Sequence, residues 1–93
     1  MKVWKYPLVP AIHLRAELPK KAQILSVQMQ YGAPTMWALV NEKVQGTTIR
    51  DFAFIGTGED FPEGKDLNKW VFLDTVQIES LDEVYHVFET TGS

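Results

Sequence analysis

Two glycines flank a threonine in Gly56-Thr57-Gly58, directly after a β-rich run. A turn of this kind lets backbone N–H groups approach a phosphate or another anion closely. Around such a turn three further residues would complete an anion site. His86 shares an alternation face with Val84 and Phe88, which points it inward or into a cleft, whereas His13, between Ile12 and Leu14, points outward. Arg50 offers a two-pronged guanidinium for phosphate, and the Trp37 indole offers a stacking face worth roughly 1–3 kcal/mol to a base. Trp70 and Arg15 are further groups of the same two types. The ligand-binding candidates are therefore Gly56, Thr57, Gly58, His86, Trp37 and Arg50. The plainer alternative is a glycine turn that ends a strand, beside a histidine that donates to a buried carbonyl.

The same residues exclude several chemistries. No Gly-Lys-Ser/Thr continuation follows the glycines and no glycine-rich run opens a long helix, so neither a nucleotide-hydrolysing loop nor a dinucleotide-binding crossover is present. Glu59 and Asp60 come next and would repel a phosphate unless they turn away. Two histidines and no cysteine are too few ligands for a structural zinc. Ser26, Ser80 and Ser93 lie outside any Gly-x-Ser-x-Gly elbow, and the paired acids Glu59-Asp60 and Asp82-Glu83 read as solvated turn residues. The expectation is a non-enzyme with no catalytic residue, no metal and no cofactor.

The elements that must position these side chains have a period of two. In residues 23–31, Leu25, Val27, Met29 and Tyr31 alternate with a mostly polar set, which predicts a strand with those four on its core face. Tyr31-Gly32-Ala33-Pro34 then supplies turn chemistry before a second β-rich run. Strands are expected over residues 2–7, 11–16, 23–31, 35–41, 47–55, 71–79 and 83–90. Seven short runs separated by Pro, Gly, Asn and Asp predict an all-β domain, a small antiparallel sandwich or partly open barrel. At most one short helix fits, a single turn over residues 66–70. In residues 48–55 both faces are apolar toward Phe54, the pattern of a central strand or of one whose second face meets another subunit. The connection over residues 56–70 is long and acidic, and its stretch from Glu59 to Asp66 is expected to act as a mobile rim rather than as ligand.

Ninety-three residues suit one domain, and the net charge is −3. That balance argues against an electrostatic grip on DNA or an anionic membrane. The charge is uneven: residues 1–49 hold six bases and two acids, residues 50–93 three bases and ten acids. Interleaving of strands from both halves would cancel this asymmetry, whereas stacking of complementary faces between subunits would use it. The start of the chain has positive charge but no apolar stretch of signal-peptide length, and no run approaches the ~18 apolar residues of a membrane span. A cytoplasmic location is expected. A small chain without disulfides is also expected to self-associate as a dimer or larger assembly, with Phe52, Phe54, Phe72, Trp37 and Trp70 as interface aromatics.

Several short motifs occur together along the chain: Trp4-Lys5-Tyr6, Leu18-Pro19, Ala22-Gln23-Ile24-Leu25-Ser26-Val27-Gln28, Trp37-Ala38-Leu39-Val40, Gly56-Thr57-Gly58, Thr75-Val76-Gln77 and His86-Val87-Phe88-Glu89. In this order the sequence resembles a family of small uncharacterised phage and prophage proteins. Where that family commonly has histidine after Gly-Thr-Gly, this chain has Glu59. The resemblance implies a phage accessory protein acting in the bacterial host cytoplasm. Combined with the glycine turn, it suggests a non-catalytic protein that sequesters a small anionic, nucleotide-like immune signal of the host. The alternative is an inhibitor or adaptor that docks on a host or phage protein.

Overall fold

The alternating patterns become seven strands in two antiparallel sheets, and a computed structural model describes residues 1–91. The first sheet has the order β1 (Lys2–Pro7), β4 (Ala33–Val40), β3 (Gln23–Gln30). The second has the order β2 (Leu14–Pro19), β5 (Thr47–Gly56), β7 (Glu83–Glu89), β6 (Val71–Ile78). The sheets face each other over Leu8, Leu18, Val27, Met36, Ala38, Val40, Phe52, Phe54, Val76 and Val87, and do not close into a barrel. Short 3-10 turns occupy Leu67–Lys69, inside the expected segment, and Glu79–Leu81. Among the described residues no helix is long and apolar enough to cross a membrane.

Strand β3 departs from simple alternation. Its pairing with β4 shifts between Ile24 and Ser26, so Leu25 is the extra residue of a bulge and is 49% exposed. Ile24 takes its place against the core beside Val27 and Met29. Tyr31, expected inside, is 93% exposed, because Tyr31 and Gly32 both adopt positive φ and form the two-residue turn of the β3–β4 hairpin. An alternation count reads every residue as one step of the pleat. A bulge and a turn each break that count.

The second strand is displaced along the chain from the expected 11–16. Residues 8–13 are a crossing between the sheets: the Leu8 N–H donates to Pro34 O in one sheet (2.8 Å), and Ala11 O accepts from the Phe54 N–H in the other (2.9 Å). The regular ladder starts only at Leu14, opposite Phe52, and runs to Pro19.

Strand β5 lies between β2 and β7, and both its faces are covered. Phe52 and Phe54 fill the core rather than an interface, while Ala53 and Ile55 are buried on the opposite face. There the connection over residues 57–70 folds back onto the sheet. Its Phe61 and Trp70 rings pack against Phe88 of β7 at 5.5 and 5.6 Å.

Two polar side chains, Asp74 and Arg50, link the second sheet to β3 and to the residue before it. The edge strands β3 and β6 meet, and Asp74, beside a second bulge in β6, accepts the Val27 N–H across the gap (3.2 Å). At another rim Arg50 grips both oxygens of Glu89 (2.6 and 2.7 Å) and donates to Ala22 O. One polar atom is left over: the buried Tyr6 hydroxyl has no hydrogen-bond partner among the described residues.

Two outcomes test this packing. Val27→Asp should unfold the domain, since an unpaired buried charge costs several kcal/mol, whereas Leu25→Asp should cost less than about 0.5 kcal/mol in urea denaturation. Equal sensitivity at both positions would contradict the bulge. Burial raises the Tyr6 hydroxyl above its ordinary pKa of 10.0, so the unfolded chain ionises first and this residue costs stability as pH rises beyond that value. Tyr6→Phe should remove that alkaline loss and, by deleting an unsatisfied donor, stabilise the domain by about 1 kcal/mol at neutral pH.

Candidate functional site

The end of β5 brings four of the six expected residues together. Ile55 and Thr75 are the cross-strand neighbours of His86, which places the imidazole on the outer face of the second sheet. Thr57 Oγ1 lies 2.8 Å from His86 Nε2, and Thr75 Oγ1 lies 3.0 Å from Nδ1. One hydroxyl donates to the bare ring nitrogen and the other accepts from the protonated one. Both nitrogens are therefore satisfied within the fold.

The glycine turn is satisfied in the same way. Glu59 folds back so that its Oε1 accepts the Gly56 N–H (2.8 Å), the Thr57 N–H donates to Val84 O (3.1 Å), and the Glu59 N–H donates to Gly56 O (3.0 Å). A Cβ on residue 56 would collide with that carboxylate, and Gly58 sits at φ +86°. The backbone of the turn thus favours glycine at position 58, while at position 56 a side chain would displace the Glu59 carboxylate from the N–H that it accepts. The hollow beside the turn, about 400 Å³, is lined by Glu59, Asp82 and Glu83. Tyr85, also in its wall, donates to Glu83 and has its hydroxyl pKa raised chiefly by that bond. This is an acidic surface, and it disfavours an anion.

Trp37 and Arg50 lie elsewhere. Trp37 alternates with the inward Met36 and Ala38 of β4, so it sits on the outer face of the other sheet. Arg50 is held by Glu89 and Ala22, with its side chain only 17% exposed. Neither is brought to the glycine turn.

A different cleft, about 300 Å³, opens on the outer face of the second sheet between the start of β2, β5 and the returning connection. Arg15 of β2 and Asp51 of β5 are direct cross-strand partners, and Arg15 Nε donates to Asp51 Oδ1 (3.0 Å). His13 Nε2 lies 3.4 Å from the same oxygen. The connection contributes Lys65 and Trp70, whose indole is braced by Phe61 and Phe88 at 5.4 and 5.6 Å. Among the described residues the terminal guanidinium nitrogens of Arg15 and the Lys65 ammonium have no hydrogen-bond or ion-pair partner. An indole and two available cations therefore line one concave surface. Arg15 and Trp70 were legible by residue type. Lys65 was not, because a lone base among the acids Glu63 and Asp66 gives no local sign that it lines a cleft. No group of three metal-binding side chains occurs among the described residues, and Ser93 lies outside them.

The chain belongs to a family described as a domain of unknown function, DUF7352, which matches residues 1–93. No curated protein and no solved structure matches it.

The carboxylate in the turn has a direct readout. Glu59→Ala should expose the Gly56 N–H, speeding its hydrogen exchange while lowering stability by about 1 kcal/mol. Unchanged exchange at Gly56 would show that Glu59 does not cover this donor.

Proposed function

We propose that this member of the DUF7352 family is a non-catalytic binding protein for a small anionic, nucleotide-like molecule, held in the cleft of Arg15, Lys65 and Trp70. The observation that carries this reading is the convergence on one concave surface of an indole packed on Phe61 and Phe88 with the Lys65 ammonium and the terminal nitrogens of Arg15, which have no partner among the described residues. A guanidinium and an ammonium match phosphate oxygens, and an indole face matches a base or another planar ring. The glycine turn becomes a support rather than the anion site, since its Gly56 and Thr57 N–H groups are occupied by Glu59 and Val84. Capture without turnover suits a phage protein that removes a host signal from circulation, and this remains the biological role we propose.

A second reading, docking onto a protein or another copy of the chain, draws on the exposed Val71 and Phe72 at the start of edge strand β6, beside the Phe61, Trp70 and Phe88 rings. Thermal shift against mononucleotides, cyclic nucleotides and dinucleotides separates the two readings. A ligand at about 100 times its dissociation constant should contribute about 2.7 kcal/mol, and Arg15→Gln or Lys65→Gln should abolish most of the shift while Trp37→Leu leaves it intact. No shift with any nucleotide, or a shift indifferent to Arg15 and Lys65, would overturn the cleft assignment.

A further inference from the structure

Charge and size narrow the ligand further. Three ionised groups line the cleft, Arg15, Lys65 and Asp51, and the Asp51 carboxylate is already engaged by Arg15 Nε with His13 alongside. Holding Arg15 by its Nε leaves the two terminal nitrogens as the available end of the fork, and Lys65 of the returning connection lines the same cleft. Two cationic heads with one spent carboxylate match a doubly charged terminal phosphate better than a singly charged diester. A phosphomonoester carries about −1.5 to −2 at neutral pH. Trp70 is the one indole lining the cleft among the described residues, and it packs on Phe61 and Phe88. At about 300 Å³ the cleft is at the lower end of the size range of ligand cavities.

We infer that the cleft selects a single planar ring bearing one terminal phosphomonoester, the chemistry of a nucleoside monophosphate, over cyclic phosphodiesters and dinucleotides. This rests on the anionic-ligand reading above. Lys65 is the residue that sets the preference: Arg15, partly neutralised by Asp51, grips either kind of phosphate, and the ammonium favours the second negative charge.

Isothermal titration of the protein with adenosine monophosphate, 3′,5′-cyclic adenosine monophosphate, cyclic di-adenosine monophosphate, adenosine and inorganic phosphate tests this. The other three nucleoside monophosphates are run beside them. A nucleoside monophosphate should bind at least about tenfold more tightly than either cyclic compound, and more tightly than adenosine or phosphate alone. Lys65→Gln should bring the monophosphate and cyclic monophosphate affinities to within about twofold, and Trp70→Phe should weaken both nucleotides together. Lys65 is on an exposed connection, and circular dichroism of each variant confirms its fold. Arg15-dependent binding of a cyclic compound as tight as that of the monophosphate would overturn the selectivity while leaving the anion cleft standing. Inorganic phosphate binding as tightly as the nucleotides would overturn the role of the ring. No binding by any compound would overturn both this inference and the proposed function.

Discussion

Burial of β5 on both faces is the constraint from which the rest of the architecture follows. Phe52 and Phe54 on one face fill the space between the sheets, and that alone would leave Ala53 and Ile55 in water on the other. A domain of this size has little apolar area to waste, because a small chain buries a modest fraction of its surface. The connection between β5 and β6 is therefore drawn back over the sheet, where Phe61 and Trp70 join Phe88 and Phe72 in one aromatic group. The cleft is a by-product of that return. Its walls are the two strands and the chain folded back over them.

Polar groups follow a second rule, mutual satisfaction, and this separates structural from available side chains. Arg50 and Glu89 neutralise each other at a rim of the sandwich, Asp74 serves the backbone of an edge strand, and Glu59 closes its own glycine turn. His86 is held between two threonines. Arg50 and His86 are groups that their residue types offered as ligand contacts, and their hydrogen bonds are made within the fold. Arg15 and Lys65 stand out by contrast, since both line a cleft and their terminal nitrogens have no partner among the described residues.

Local pattern carried much of the architecture. Period-two apolarity identified seven strands, and the boundaries of β1 and β5 are matched to within a residue. The turn at Asp66 was legible too: its side chain accepts the Asn68 N–H and caps the Leu67–Lys69 turn. Thr57 comes beside His86 because β5 and β7 are neighbours in the second sheet, an order that alternation does not give. Failures arose where one residue changes the count: the bulge at Leu25, the positive-φ turn at Tyr31, and the non-ladder crossing over residues 8–13.

The sequence by itself determined that this chain forms antiparallel sheets, that Val27 and Met29 face their core, and that a glycine turn follows β5. These are properties of neighbours along the chain, governed by pleat geometry and backbone sterics. Only the tertiary structure decided which polar side chains remain available. Glu89 reaches Arg50 from 39 positions away, Lys65 comes to Arg15 by the return of a long connection, and Trp37 is carried to the opposite sheet from Trp70. Partnership across such separations is set by sheet order and loop path, and neither leaves a periodic trace in the residues themselves.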